Sequence, residues 1–512
     1  MLLLLLACTG APHLVVTPEE RDPPGDLDRD GFTADDCDDT RADIHPGAAP
    51  DACDGLDQDC DGDPIGAGTC AEMVNVKNAS TGSWEGTQVG DGFHTYGAVP
   101  DQDGDGVDDL LFRGEGIDGS GDGLVGWMPG AMPDGAVAWT DASPRYWVGE
   151  PDHEWIVDIG VAGDFDGDGA PDLWSGSLGC STRDGVVYLL RGPPERWPTD
   201  GPSLRDATDA SWVQETPGDC FGYDTVAAGD LDGDGLADLV TTSDEAVWAI
   251  FGRTTGLVPG ASAGAEVHFA GVSADSYAWP DLDGDGLAEV VLEGYDGELG
   301  LLSGANLRAA DGADLADVLL PLVQPAEGGY RPVAGGDLGD ADGDGYRDVV
   351  VEHGSACTVR LHGAADFATR PMASGLGVSV CYDTPLPYSE WRTSLFASVT
   401  PDVDADGVRD LLIFAALPAV AWDGSALADC LVPSSRLPTS GTVDGPEVDV
   451  CFGAGNADSA FQDAAFLTDL DGDGLPELVA SNGTWGADDE RNVGRALVLP
   501  GFDIPWDDAS KW

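Results

Sequence analysis

Apolar residues in this chain come in short runs bounded by glycine, proline or aspartate, and helical periodicity is weak throughout. Seven first runs read LLF, LW, LVTT, VVLE, VVVE, LLIF and LVA. Seven second runs follow them and close as WMPG, LLRG, AIFG, LLSG, RLHG, AWDG and VLPG, ending at Gly130, Gly192, Gly252, Gly304, Gly363, Gly424 and Gly501. They are too short for helices and rich in Val, Leu, Ile and aromatics, which predicts strands.

An acidic loop precedes every first run. The loops begin at Asp101 (DQDGDGVDD), Asp164 (DFDGDGAPD), Asp230 (DLDGDGLAD), Asp281 (DLDGDGLAE), Asp340 (DADGDGYRD), Asp402 (DVDADGVRD) and Asp469 (DLDGDGLPE). Their starts lie 63, 66, 51, 59, 62 and 67 residues apart, the signature of an array of one supersecondary unit. About four short strands per unit, radially repeated, predict an all-β fold, a seven-bladed β-propeller over residues 71–512. Residues 72–90 look like the outer-strand part of a unit without its beginning, so they are expected to complete the last blade.

The loops also carry the candidate chemistry. Side-chain oxygens fall at positions 1, 3, 5 and 9, glycine occupies position 6, and the carbonyl of position 7 (Leu236 in the third loop) is available. A cage of hard oxygens suits Ca²⁺ in number and type, whereas Mg²⁺ demands strict octahedral geometry and keeps its waters. The expected ligands are Asp101, Asp103, Asp105 and Asp109; Asp164, Asp166, Asp168 and Asp172; Asp230, Asp232, Asp234 and Asp238; Asp281, Asp283, Asp285 and Glu289. In the later units they are Asp340, Asp342, Asp344 and Asp348; Asp402, Asp404, Asp406 and Asp410; Asp469, Asp471, Asp473 and Glu477. Ordinary turns would not hold that register seven times.

The stretch FGYDTVAAGDLDGDGLADLV, Phe221 to Val240, resembles an FG-GAP repeat, the unit of the integrin α-subunit propeller and of many bacterial secreted propellers. The resemblance covers about residues 90–501, strongly in the loops and less so upstream, where Tyr96-Gly97 replaces Phe-Gly in the first unit. It implies a seven-bladed propeller with Ca²⁺ in the hairpin loops and, in many members, adhesion or ligand binding on the opposite face.

Residues 1–70 differ. MLLLLLACTG resembles the lipobox of a bacterial lipoprotein, with Cys8 as the lipidated residue, and residues 9–25 form a linker. Residues 26–70 are rich in Cys and Asp, and their DCDD…HPGA…CDG.D.DCDG arrangement resembles the MopE-type metal-binding motif. Asp26, Asp28 and Asp30 repeat the loop register with an apolar ninth position, Ala34, and a second partial register begins at Asp57. One histidine, His45, and no nearby methionine make poor copper chemistry; weak calcium binding or a disulfide-stapled spacer fits better.

The remaining cysteines fit export. Setting Cys8 aside leaves ten of the 11, of which Cys37, Cys53, Cys60 and Cys70 lie in the small module with their pairing open. The other six fall as near neighbours, predicting the bridges Cys180–Cys220, Cys357–Cys381 and Cys430–Cys451 in an oxidising compartment.

A net charge of −73, with Lys77 and Lys511 the only lysines, argues against nucleic-acid or anionic-membrane partners. Apart from the lipid anchor, no segment reaches the roughly 20 apolar residues of a membrane span. GASAG at 260–264 matches the GxSxG elbow, but Ser262 sits in a linker and not in a strand-turn-helix setting, so no catalytic residue is assigned and a non-enzyme is expected. Long loops at 113–123, 177–185 and 481–494 point to recognition through Arg113, Arg183, Trp485 and Arg491. The whole reads as a monomeric calcium-binding surface or secreted protein that binds an extracellular protein or glycan. The alternatives are a calcium-dependent polysaccharide lyase on the same scaffold and a purely structural surface protein.

Overall fold

The structure is a computed structural model that describes residues 72–499 apart from a set of connecting segments, chiefly 116–122, 150–154, 179–184, 323–329, 368–375, 382–396, 403–406, 417–426, 433–440, 445–449, 454–463 and 483–494. Residues 1–71, with the module at 26–70, lie outside the described residues, as do 500–512.

Among the described residues the strands form seven sheets of four or five strands, and helix is confined to single turns such as Leu204–Ala207 and Leu315–Val318. None of those helices is long and apolar enough to cross a membrane. Sheet 1 is a meander of His94–Val99, Asp109–Gly114, Leu124–Met128 and Arg145–Val148. Sheet 2 starts with Trp155–Gly163 and Asp172–Leu178, sheet 3 with Thr225–Gly229 and Asp238–Thr242, and sheet 4 with Asp275–Trp279 and Glu289–Glu293. Tyr330–Gly339 and Asp348–His353 open sheet 5, Ala397–Val399 and Leu411–Ala416 sheet 6, and Ala464–Thr468 and Glu477–Asn482 sheet 7. Every acidic loop therefore joins the first strand of a sheet to its second.

In sheets 1 to 4 the second and third strands are apolar on both faces because each of these sheets packs on two neighbours. In Ala246–Ile250 all five residues are buried. Ala246, Trp248 and Ile250 join the layer shared with sheet 2, while Val247 and Ala249 enter the layer shared with sheet 4. Phe221 and Gly222 contribute to the first of these layers: Phe221 is fully buried and meets Trp248 edge-on at 5.1 Å, and Gly222 takes the left-handed backbone (φ 84°) that permits the turn. An equivalent layer joins sheet 7 to sheet 1, with Trp84, Leu470, Val479 and Val498 against Leu110, Phe112 and Trp139.

Sheet 7 is completed from the start of the described chain, as expected: Gly82–Glu85 pairs antiparallel with Arg495–Leu499. The earlier segment Glu72–Asn75 goes elsewhere, to the edge of sheet 6 beside Val450–Gly453. Both placements obey one rule. The connection between the third and fourth strands of a sheet runs back along the outer strand of the preceding sheet, as Ala261–Ser262 does beside Trp212 and Val213, Gly441–Asp444 beside Val378–Cys381, and Gly135–Ala138 beside Gly82–Glu85. Isolated parallel bridges at Val148–Ser203 and Ala270–Asp314 repeat it. The outer edges of sheets 1, 2, 3, 5, 6 and 7 are thereby covered by a neighbouring segment.

Cys357 lies directly opposite Cys381, and Cys430 opposite Cys451, on adjacent antiparallel strands. Cys180 lies outside the described residues.

Candidate metal centres

The loops share one backbone plan. The carboxylate at position 1 accepts the N–H groups of the glycines at positions 4 and 6, at 2.6–3.1 Å in loops 1 to 5 and 7. Those glycines have positive φ, for example 82° at Gly233 and 87° at Gly235. The sequence marked position 6 as the sharp turn; position 4 is equally left-handed wherever glycine holds it among the described residues. Position 3 accepts from position 5, and position 5 from position 7, as in Asp234 N–H to Asp232 (3.2 Å) and Leu236 N–H to Asp234 (3.0 Å). Backbone donors thus hold several carboxylates together in advance of any ion.

Position 9 is built differently. Asp109, Asp172, Asp238, Glu289, Asp348, Asp410 and Glu477 are all at most 1 % exposed, although each adjoins an exposed loop. One oxygen accepts the N–H of position 2, from Gln102, Phe165, Leu231, Leu282, Ala341 or Leu470 at 2.6–3.0 Å. The other, in units 1, 2, 3 and 5, accepts the N–H of the closing glycine at 2.8–3.0 Å, as with Gly130, Gly192, Gly252 and Gly363. The carboxylate staples its loop to the end of the third strand. That glycine has no room for a side chain: a Cβ on Gly252 would lie 2.5 Å from the Ala237 carbonyl oxygen and 2.6 Å from the Leu236 Cβ.

Burial raises these carboxyl groups, Asp109 to about 6, Asp172 and Asp238 to about 7 and Glu289 to about 8, with backbone hydrogen bonds opposing the shift. Asp103, Asp283 and Asp342 are also raised, first by desolvation and then by neighbouring carboxylates. A dication would relieve both costs, so the donor set fits a hard cation.

Potential ligand atoms converge within 4.8 Å in Asp101/Asp103/Asp105, Asp164/Asp166/Asp172, Asp230/Asp232/Asp234, Asp281/Asp283/Asp285 and Asp342/Asp348/His362. Of the other expected ligands, Asp168 and Asp344 stand at position 5, and Asp340, Asp402 and Asp469 at position 1, with Asp471 at position 3 of the last loop. Asp404, Asp406, Asp473 and, in the N-terminal module, Asp26, Asp28 and Asp30 lie outside the described residues.

Cationic side chains reach three loops, which the sequence reading missed. Arg191 contacts Asp166 through Nε, and Arg308 contacts Asp232 through Nε and Asp234 through Nη2 at 2.7 Å. His362 Nδ1 lies 3.2 Å from both Asp342 and Asp348, and those carboxylates raise its pKa. Arg191 and His362 hold the same place, the residue before the closing glycine, so the pattern was visible in LLRG and RLHG. Arg308 had no such signal, since it comes from the turn after the third strand of the next sheet.

At the other end of the first strands lies a second polar group. The Tyr96 hydroxyl donates to Asp158 (3.0 Å), the Arg113 guanidinium covers the Tyr96 ring at 4.8 Å and donates to His94 (2.7 Å), and the Ser276 hydroxyl donates to Asp224 (2.6 Å). Arg113 therefore belongs to a strand and to these contacts and not to a free loop; Arg183, Trp485 and Arg491 lie outside the described residues. Ser262 sits on the two-residue edge strand beside Trp212 and Val213.

No curated protein sequence matches the chain. Among solved structures, it is similar to BBS1N in its complex with ARL6DN, soaked with lead, at 12% identity over 79% of this chain and 91% of that one, with a TM-score of 0.37. It is similar also to the BP39L lectin from Burkholderia pseudomallei, at 15% identity over 83% and 99%, with a TM-score of 0.36. Two family models match: residues 36–64 match a metal-binding motif of the MopE copper-binding type, and residues 221–256, which include the third acidic loop and its closing Gly252, match the FG-GAP repeat. The chain thus carries an FG-GAP repeat within a series of like-built sheets, preceded by a MopE-type segment.

Proposed function

We propose that the chain is a calcium-stabilised seven-bladed propeller of an exported, surface-attached protein that binds an extracellular protein or glycan and does not catalyse a reaction. Ca²⁺ is held in the loops by the carboxylates at positions 1, 3, 5 and 9 and the carbonyl at position 7. The observation that carries this reading is the recurrence of one acidic loop between the first and second strands of each of the seven sheets, with carboxylates drawn together and raised in pKa by burial and mutual repulsion. The apolar layer between sheets 7 and 1 and the pairing of Gly82–Glu85 with Arg495–Leu499 inside sheet 7 support circular closure. Cross-strand cysteines at Cys357/Cys381 and Cys430/Cys451 support disulfides and hence export, with Cys8 as the lipid anchor.

Calcium about tenfold above its dissociation constant stabilises by about 1.4 kcal/mol per site, so seven sites together approach the net stability of an ordinary domain. The test is metal content and melting temperature with and without EDTA, followed by a glycan and protein array with a chelator control. Several tightly bound Ca²⁺ and a chelator-dependent melting temperature are expected. A chain that binds none at millimolar supply overturns the metal reading, and polysaccharide cleavage in the same samples overturns the non-catalytic one.

A further inference from the structure

The fifth loop has a donor that the other six units lack. Before the closing glycine stand Pro129, Arg191, Phe251, Ser303, Asp423 and Pro500 in those units, and His362 in the fifth. Its imidazole sits at the end of Cys357–Leu361, with 13% of the side chain exposed, and Nδ1 lies 3.2 Å from Asp342 Oδ2 and 3.2 Å from Asp348 Oδ2. Asp348 is fixed from two sides by the N–H groups of Ala341 (2.8 Å) and Gly363 (3.0 Å), and Gly363 is the residue after His362. One nitrogen and two carboxylate oxygens are thus held in a small cluster by backbone they share.

We infer that the fifth loop is a site for a borderline transition-metal dication of the Zn²⁺ or Co²⁺ class, held by His362 Nδ1, Asp342 and Asp348, and not a seventh copy of the calcium site. The inference rests on the reading of the loops as metal sites and assigns one of them a different ion. Ca²⁺ takes oxygen ligands, while imidazole suits zinc, copper, iron and nickel. The spacing agrees: two ligands bound at 2.0–2.1 Å with a near-tetrahedral angle stand about 3.3 Å apart. Asp340 and Asp344 flank the cluster in the same loop and add negative charge that favours any dication.

The test uses the full chain, stripped of metal, reloaded with Co²⁺ in a large excess of Ca²⁺ and assayed for both metals. Wild type is expected to retain one more Co²⁺ equivalent than His362→Gln, which offers an oxygen in place of the nitrogen and gains a Ca²⁺ equivalent instead. Asp342→Asn, which leaves the imidazole intact, is expected to weaken Co²⁺ at this site at least about tenfold. Melting curves in Ca²⁺ establish that each variant is folded. If wild type and both variants retain equal Co²⁺ while binding Ca²⁺ normally, His362 serves only as an internal counter-ion and the inference falls while the calcium loops stand. If none of them binds either metal, both readings fall.

Discussion

The backbone N–H of Asp108 donates to the carbonyl of Asp469 at 3.1 Å, joining position 8 of the first acidic loop to position 1 of the last. The same bond links Ala237 to Asp164 (3.1 Å) and Ala288 to Asp230 (2.9 Å), between loops of consecutive sheets. The Thr468 hydroxyl reinforces the first of them, donating to Asp108 at 2.8 Å. Sheet 7 therefore meets sheet 1 as sheet 2 meets sheet 3. Pro171, at position 8 of the second loop, has no N–H to give.

That equivalence has an energetic consequence at Trp84, which is 2% exposed and belongs to the layer between sheets 7 and 1. Trp84→Ala is expected to cost about 3–5 kcal/mol, as much as Trp212→Ala in the layer between sheets 2 and 3. Denaturant unfolding of both variants checks this. A loose seam between the chain's two ends would leave the Trp84 variant nearly as stable as wild type.

The buried staple at position 9 makes a prediction separable from metal binding. Asp238→Asn keeps the shape but turns one acceptor into a donor facing either Leu231 N–H or Gly252 N–H, at a cost of about 1–3 kcal/mol. In EDTA the loss should persist, because those hydrogen bonds need no ion. Gly252→Ala should be destabilising for its own reason, the collision with Ala237 and Leu236. A stability loss in Asp238→Asn that vanished on chelation would assign the residue to the metal alone.

Arg308 supplies positive charge to the third loop from the neighbouring sheet, and its side chain is 47% exposed, so the pair adds little, about 0–1 kcal/mol. It would also compete with any dication for Asp232 and Asp234. Arg308→Gln is expected to raise calcium affinity at this loop and to enlarge the drop in melting temperature on adding EDTA. Calorimetric titration of the variant against wild type reads the first effect and paired melting curves the second; unchanged values in both would show that the guanidinium does not compete.

Strand positions were legible because their cause is local: aliphatic runs such as LVTT and AIFG must be buried on both faces, and Asp and Gly at fixed offsets turn the chain between them. The closing glycines were legible as punctuation. Their reason was not, since the Asp238 carboxylate and the Ala237 carbonyl that require Gly252 come from a different strand. Arg308 was invisible for the same reason, lying 76 residues from Asp232. The Glu72–Asn75 segment went to sheet 6 instead of sheet 7 because the chain runs back along the preceding sheet's edge before it completes its own, and a lone four-residue strand does not announce its partner.

The polar group away from the loops sets a pH dependence of defined sign. Burial raises the Asp158 carboxyl to about 6, while Ile159 N–H, the Tyr96 hydroxyl and the Arg113 charge oppose the shift; Asp224, also near 6, is raised by burial and by Asp275 and Asp158. A folded-state value above the ordinary 3.8 means that the folded form holds the proton more tightly than the unfolded one. This contribution to stability is therefore complete below about pH 4 and is lost as the pH rises through about 6. Asp158→Asn, neutral at every pH and still able to accept from Tyr96, should match wild type near pH 4 and exceed it by about 3 kcal/mol at pH 7. Unfolding curves across that range, with calcium held constant so that the loops do not titrate into the result, decide it: parallel profiles for the two proteins would mean that Asp158 is ionised in the folded state as readily as in water.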